Sequence, residues 1–378
     1  MSTDASSAPT SDETPEPAAA EVSIAPTGEG NLDTDTDTAT DTALDTDTAL
    51  DTDTATALDT ATATATDDDD DDDDDEYPVG FSGAGDGRHD HTLGEQIGEM
   101  RSGFIAIVGR PNVGKSTLVN AMCGSKVSIV SDKPQTTRTR VRGVLTRPGT
   151  QLVFVDTPGL HKAVTALGER VNATALDSMS EVDVVMLVID GTAGFGKGDE
   201  WVASRCDISK AIVVLNKIDQ LSKNMIAVQL NAASKLGAAA YFPVSARTGD
   251  GIRELVDHLR KLMPEGPMYF PDDTVRDLPE AEWVAELVRE QLLAVTHDEL
   301  PYSIATRVTE WEWPRIRCEI IVERDSQKGM VIGKKGAVLK EVGTRVRKQL
   351  PEGVYIELFV KVDKDWQRKP DRIERLGY

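Results

Sequence analysis

Residues 104–117 restrict the possible fold more than any other stretch of this sequence. They read F-I-A-I-V-G-R-P-N-V-G-K-S-T, so an apolar run of strand length enters the pattern G-x-x-x-x-G-K-[ST]. Apolar residues continue at helical spacing from 118 to 122, which predicts a strand, a phosphate loop and a helix. In such a loop, backbone N–H groups converge on phosphate oxygens at the positive end of the helix. We therefore expect phosphate to be bound by Gly109, Arg110, Pro111, Asn112, Val113, Gly114, Lys115, Ser116 and Thr117.

Three later motifs indicate that the phosphate belongs to a guanine nucleotide. In D-T-P-G at 156–159, the Asp can hold Mg²⁺ and the Gly lets the backbone approach the terminal phosphate. In N-K-I-D at 216–219, the final carboxylate can accept two hydrogen bonds that guanine donates and adenine does not. The backbone of S-A-R at 245–247 can contact the guanine O6. The expected nucleotide-binding residues therefore also include Asp156, Thr157, Pro158, Gly159, Leu160, Asn216, Lys217, Asp219, Ser245 and Ala246.

A polar segment at 125–142, which contains P-Q-T-T-R at 134–138, lies where a nucleotide-sensing segment would sit. We assign magnesium to Ser116, Thr137 and Asp156, with Thr136 as the alternative to Thr137, and we expect Lys115 and Thr137 to act in catalysis.

Leucine at 160 cannot orient an attacking water, so we expect slow unassisted turnover. His161 could serve as a base, although a lone loop histidine is more often only solvated.

The net charge of −24 belongs to the N-terminal part of the chain alone. Residues 1–100 contain 29 of the 65 acidic residues and one of the 41 basic residues, which leaves residues 101–378 with a net charge of +4. Asp-Thr and Ala-Thr repeats and nine consecutive aspartates predict a disordered acidic tail over 1–97. The three cysteines are far apart, which argues against zinc and disulfide-linked partners, and no signal peptide or membrane span is recognisable. These features are consistent with a cytoplasmic location.

A second nucleic-acid signal lies near the C-terminus. V-I-G-K-K-G at 331–336 carries a G-x-x-G loop within a predicted α-β-β-α-α-β order, which is typical of a KH domain. Glycines let the backbone approach about four single-stranded nucleotides, and an adjacent apolar groove accepts the bases. Trp311 and Trp313 could stack on bases, but we favour their covering the core. The expected RNA-binding residues are Val331, Ile332, Gly333, Lys334, Lys335 and Gly336.

The motifs G-R-P-N-V-G-K-S, P-Q-T-T-R and D-T-P-G-L-H resemble those of the bacterial ribosome-assembly GTPases of the Era family. The resemblance covers nearly everything after residue 100. It implies an α/β P-loop GTPase domain over 98–265, with a mostly parallel sheet and helices on both faces. Independently of the resemblance, two predicted strands joined by the turn residues R-P-G-T at 147–150 indicate a hairpin over 141–155, which should add one antiparallel strand to this sheet. A linker over 266–279 and an α+β type II KH domain over 280–378 follow.

The resemblance also implies a function. The chain would hydrolyse GTP to GDP and phosphate with Mg²⁺, and it would bind the 3′ end of small-subunit (16S) ribosomal RNA and the pre-small subunit during assembly and maturation. Asn112 matches an asparagine that holds a potassium ion in related GTPases, so we add Asn112 to the catalytic residues and K⁺ to the cofactors as a hypothesis.

Two rival functions remain open from the sequence. One is a nucleotide-gated signalling protein that associates peripherally with the inner face of the cell membrane, but no basic amphipathic helix or lipidation motif supports it. The other is an RNA-binding scaffold that has lost hydrolysis, which the intact Lys115, Ser116 and Asp156 argue against.

Overall fold

The structure is a computed structural model that describes residues 100–163, 165–296 and 300–378. The predicted disorder of residues 1–97 lies outside these ranges. Among the helices of the described ranges, none is both long enough and apolar enough to span a bilayer.

The first part of the described chain is an α/β unit around a seven-stranded sheet in the order β6-β5-β4-β1-β3-β2-β7. Its strands pair in parallel, except that β2 runs antiparallel to both of its neighbours, β3 and β7 (Arg276–Asp277). The hairpin of β2 and β3 is the one predicted from the sequence. The elements are β1 (Arg101–Gly109), α1 (Lys115–Cys123), β2 (Val141–Arg147), β3 (Thr150–Asp156), α2 (Ala166–Asp177), β4 (Val184–Asp190), α3 (Lys197–Ala203), β5 (Ile212–Asn216), α4 (Lys223–Ser234), β6 (Ala240–Pro243) and α5 (Ile252–Leu262).

Helices cover both faces of this sheet because its central strands are apolar on both sides. In β4, Met186 and Val188 belong to a core cluster with α1 and α5. The alternate residues Leu187 and Ile189 belong to a second cluster with α2, α3 and α4. Continuous apolar strands of this kind are typical of buried parallel sheets. The predicted fold class of this unit is confirmed.

The seventh strand comes from the stretch that the sequence assigns to a linker. β7 (Arg276–Asp277) pairs with β2, and Arg142 and Asp277 form an ion pair of 2.7 Å between these two strands. Two residues of strand leave no periodicity to detect, so the sequence does not predict this pairing.

The second unit has the α-β-β-α-α-β order of a type II KH domain. Its sheet has the order β10-β9-β8, in which β8 and β9 are antiparallel and β9 and β10 are parallel. One core cluster joins α6, α8 and α9 to this sheet. The elements are α6 (Glu280–Val295), α7 (Leu300–Ser303), β8 (Ala305–Glu312), β9 (Arg315–Val322), α8 (Asp325–Ile332), α9 (Ala337–Arg347), β10 (Tyr355–Val362) and α10 (Pro370–Arg375).

One expectation for the KH unit is wrong. Trp311 and Trp313 lie at the β8–β9 turn with exposed fractions of 42% and 60%, so they do not cover the core. Trp311 pairs with the buried Ile316 near the end of the sheet. Neither tryptophan belongs to the core cluster of this domain.

Candidate nucleotide and RNA sites

The phosphate loop connects β1 to α1 and holds Lys115 in a buried position. Lys115 is 6% exposed, and its ammonium group donates to the carbonyl oxygens of Gly109 (3.3 Å) and Arg110 (3.0 Å). Burial lowers the pKa of Lys115 to about 8, although the nearby Asp156 carboxylate acts in the opposite direction. Gly114 has a φ of +92°, and a Cβ there would overlap the side-chain amide of Asn216, so this position requires glycine.

Two hydroxyls and one carboxylate meet beside this lysine. Ser116 Oγ lies 2.9 Å from Thr137 Oγ1, and the Thr137 hydroxyl donates to Asp156 Oδ2 over 3.4 Å. Asp156 is fully buried and its Oδ1 has no hydrogen-bond partner. Burial raises the pKa of the Asp156 carboxyl against the opposing effect of Lys115. An unpartnered buried carboxylate oxygen among hard oxygen donors fits Mg²⁺.

The neighbouring Thr136 is oriented differently. Its hydroxyl donates to Lys133 O over 2.7 Å, within its own loop. Of the two threonines considered from the sequence, Thr137 is therefore the one whose hydroxyl contacts Ser116 and Asp156.

Asn216 connects the phosphate loop to the S-A-R loop. Its amide nitrogen donates to Val113 O (2.9 Å), and its amide oxygen accepts from Ala246 N (3.0 Å). The Ser245 hydroxyl donates to Asp219 Oδ1 over 2.7 Å, which orients the carboxylate expected to contact guanine. The three loops that would surround a guanine base therefore hold one another in place.

The side chain of Lys217 contacts both the phosphate loop and Asp190, a residue that the sequence motifs did not identify as part of the site. Its ammonium group donates to Asn112 O (2.8 Å) and Asp190 Oδ2 (2.7 Å). Burial alone would raise the pKa of Asp190, but hydrogen bonds from Lys217 and Thr192 hold the pKa below its ordinary value. Asp190 belongs to no recognisable motif, although its place at the end of β4 is a signal that could have been used.

The remaining predicted residues divide into three groups. Pro111, Asn112, Thr117 and Gly159 line the cleft next to Lys115 and Ser116. Arg110 instead pairs with the buried Asp199 of α3 at 2.8 Å, and the Thr157 hydroxyl donates to Ile107 O. Val113 and Leu160 lie in apolar cores, and Pro158 is buried.

His161 connects the two loops on either side of the cleft. Its Nδ1 lies 3.0 Å from Gly159 O, and its Nε2 lies 3.0 Å from Gln135 Nε2. The neutral tautomer with hydrogen on Nδ1 satisfies both contacts. Both ring nitrogens are therefore engaged by the protein, which is not how a free general base is held.

The predicted RNA loop joins α8 to α9. Lys334 and Lys335 are exposed, whereas Val331 and Gly336 are buried and Ile332 is partly buried. Gly333 has a φ of +73°, and a Cβ there would lie 2.6 Å from a methyl carbon of Val338. The glycine thus allows the loop to turn tightly into α9 while both lysines face solvent.

Beside this loop, a groove runs between α9 and β10. Gly343 lies in the middle of α9, and a Cβ there would lie 3.8 Å from Leu358 and 3.9 Å from Ile356. The sequence motif did not predict the groove residues, although a glycine within an apolar helix pattern could have pointed to them. They are Leu339, Lys340, Gly343, Arg347, Tyr355, Ile356 and Leu358.

Comparisons with known proteins agree with both halves of this description. A family profile described as "50S ribosome-binding GTPase" matches residues 104–217, and a KH domain profile matches residues 299–367. The GTPase Era of Geotalea daltonii is 42% identical over 292 residues, which cover 74% of this chain and 98% of that protein. The GTPase Era of Mycobacterium tuberculosis is 44% identical over 299 residues, which cover 74% and 99%. The chain belongs to the Era family of GTPases.

Solved Era structures extend the similarity to three dimensions. A crystal structure of Era in complex with MgGDPNP and nucleotides 1506–1542 of 16S ribosomal RNA has a TM-score of 0.71 and 39% identity. A structure of an Aquifex aeolicus Era variant bound to GDP and AlF4⁻ has the same TM-score and identity. Each match covers 74% of this chain and 99% of the solved one. The similarity to Era therefore includes both the GTPase and the KH units.

Proposed function

We propose that this Era-family GTPase is a GTP-hydrolysing switch whose KH domain binds single-stranded RNA from the 3′ region of 16S ribosomal RNA during assembly of the small subunit. The observation that carries the proposal is that one chain brings together two groups of residues, each suited to one of these ligands. One has a buried lysine, two hydroxyls and an unpartnered carboxylate around a phosphate loop. The other has two exposed lysines beside a groove.

In the nucleotide site, each group has a distinct chemical task. Backbone N–H groups of the phosphate loop and the Lys115 ammonium would stabilise the negative charge of the phosphates. This includes the charge that develops on the leaving-group oxygen as the terminal phosphoryl group is transferred. Ser116, Thr137 and Asp156 would hold Mg²⁺, which supplies further positive charge at the phosphate oxygens. Asp219 would select guanine by accepting from its N1 and N2 groups.

In this site, neither Leu160 nor His161 has a free side-chain group that would orient the attacking water. Leu160 is packed in the core and offers no side-chain hydrogen bond, and His161 is engaged by Gly159 and Gln135. We therefore propose slow intrinsic turnover.

A potassium ion held by Asn112 would compensate in part. The Asn112 side-chain nitrogen donates to Asp132 O over 2.7 Å. The amide oxygen of Asn112 remains available as a cation ligand close to the phosphate loop.

In the RNA site, we propose that the backbone of 333–336 and the two lysines contact phosphates, while bases enter the groove between α9 and β10. Lys340 and Arg347 add positive charge along this groove. Single-stranded RNA fits this arrangement because its unstacked bases are free to enter a groove, whereas a duplex keeps its bases stacked.

The test is sedimentation with small ribosomal subunits from cells that lack the protein, compared with flotation on anionic lipid vesicles. GTP-dependent cosedimentation with the subunits and no flotation are expected. Flotation without cosedimentation would favour peripheral membrane association, the rival function. Single-turnover hydrolysis of labelled GTP distinguishes a switch from a scaffold, because a scaffold would retain GTP unchanged.

A further inference from the structure

Residues 125–140, called the switch segment below, are held by the KH domain on both sides of Thr137. At its start, Lys126 pairs with Glu290 of α6 at 2.6 Å, and Glu290 also accepts from Val130 N over 2.9 Å. Ile129, which is 3% exposed, packs into the apolar core of the KH domain. A segment expected to respond to nucleotide is thus partly built into the RNA-binding unit.

Arg138 follows Thr137 in the sequence, and its side chain inserts into the KH domain. It is 3% exposed, and its guanidinium donates to the carbonyl oxygens of Ile304 (2.6 Å) and Tyr302 (2.9 Å). The guanidinium also lies 5.8 Å from the Trp366 ring centre and 5.7 Å from that of Tyr378. Because a guanidinium is a rigid fork, these contacts fix both the position and the direction of the Arg138 side chain.

Thr136, the residue before Thr137, is contacted by an arginine that extends from the KH domain towards the switch segment. Arg289 of α6 is fully buried, pairs with Glu286, and donates from the same nitrogen to the carbonyl oxygen of Thr136. Two buried arginines therefore connect the domains, one extending from each side. The residue between their attachment points is Thr137, whose hydroxyl contacts Ser116 and Asp156.

We propose that Arg138 and Arg289, the arginine clamp, are positioning residues through which the KH domain sets Thr137 in the magnesium site. The inference rests on the proposed GTPase function. The clamp acts on the state that contains Mg²⁺ and the terminal phosphate, because that state needs the Thr137 hydroxyl. By linkage, RNA that alters the KH surface packed on the switch segment changes the affinity for GTP more than the affinity for GDP.

The test uses the full chain with Arg138→Lys and Arg289→Lys, which keep the buried charge and most of the volume. A lysine ammonium lacks the planar fork, so neither variant can retain all of the arginine contacts. Two controls match the substitution. Arg253→Lys changes a side chain of α5 that is 91% exposed, and Arg142→Lys changes the β2–β7 ion pair outside the switch segment.

Affinities for fluorescent GDP and for a non-hydrolysable GTP analogue are measured by titration across a Mg²⁺ series. Each clamp variant is expected to bind the analogue about tenfold more weakly than wild type, to require several-fold more Mg²⁺, and to bind GDP within twofold of wild type. Hydrogen exchange should become faster across the switch segment. The control variants should behave as wild type in all of these measurements.

A clamp variant with wild-type analogue affinity and Mg²⁺ dependence would overturn the proposal. Equal losses of GDP and analogue affinity would also overturn it, because they would report a structural role for the arginines. If wild type itself bound the analogue without any need for Mg²⁺, the proposed GTPase function would fail first. The two failures are therefore distinguishable.

Discussion

Ser116 Oγ and Thr137 Oγ1 lie 2.9 Å apart although the two residues are 21 positions apart in the sequence. Ser116 is fixed at the start of α1, whereas Thr137 lies in an irregular segment held by the KH domain. Beside the Asp156 carboxylate, the candidate magnesium site therefore combines a hydroxyl from the start of α1 with a hydroxyl from a segment that contacts the second domain. A nucleotide bound at this site could influence the KH unit through this second hydroxyl.

Removal of the Lys115 ammonium should weaken GTP binding strongly. Lys115→Ala eliminates a charge-assisted contact to phosphate, which is worth about 1.5–3 kcal/mol, or roughly a ten- to a hundredfold change in Kd. Titration with a fluorescent GTP analogue measures the effect, and Lys210→Ala, at a side chain that is 84% exposed, serves as the control. Unchanged affinity in Lys115→Ala would exclude this loop as the phosphate site.

Asp219→Asn should shift the nucleotide preference from guanosine to xanthosine. The asparagine amide can donate to the 2-carbonyl of xanthine, whereas the carboxylate can only accept from the N1 and N2 groups of guanine. Competition between GTP and XTP for the same fluorescent nucleotide measures this preference. A variant that still prefers GTP would contradict the assignment of Asp219 to the base.

Turnover should be faster in potassium than in sodium. The expected effect follows from Asn112, which lies beside the phosphate loop, and from the lack of a water-orienting side chain at Leu160. Phosphate release is measured at matched ionic strength and saturating Mg²⁺, with Asn112→Ala as the comparison. If wild type gives equal rates in the two salts, potassium has no role, although the GTPase assignment remains.

The groove between α9 and β10 can be blocked without a change in charge. Gly343→Leu places a large side chain against Ile356 and Leu358, so RNA affinity should fall at least tenfold. Replacement of a mid-helix glycine also favours the helix by about 0.5–1 kcal/mol, so the thermal transition should not fall as RNA binding is lost. Gly343→Ala adds only a methyl group and should bind RNA almost normally. Full RNA affinity in Gly343→Leu would exclude the groove as the base site.

Motifs with fixed spacing made much of this molecule predictable from its sequence. The phosphate loop, D-T-P-G and N-K-I-D each follow a strand, because their chemistry requires backbone and side-chain groups at one sheet edge. The G-K-K-G loop likewise predicted two flanking helices. In these regions, the residues that the local backbone conformation requires are also the ones that the site requires.

The contacts between the domains were not predictable in the same way. Arg138 and Arg289 lie in an irregular segment and a helix, and nothing in the spacing of two arginines indicates that both are buried. Their positions depend on how two folded units pack, which a single sequence does not encode in any local period. The error at Trp311 and Trp313 has a similar origin, because the exposure of a strand turn depends on tertiary packing and not on the turn residues alone.

The central claim is that one chain carries two distinct sites, one for GTP and one for single-stranded RNA, and charge reversal at the G-K-K-G loop tests it most directly. Both lysines are exposed, so Lys334→Asp with Lys335→Asp replaces attraction to phosphate with repulsion. The matched control reverses Lys210 and Lys235, which are exposed on the GTPase domain.

The measurement is fluorescence anisotropy of a labelled oligonucleotide from the 3′ end of 16S ribosomal RNA across a salt series, with nucleotide affinity determined in parallel. The G-K-K-G variant should lose RNA affinity by at least a hundredfold at low salt and by less at high salt, since screening weakens both attraction and repulsion. Its affinity for GTP and its thermal transition should match those of wild type and of the control. Wild-type RNA affinity in the G-K-K-G variant at every salt concentration would contradict the claim.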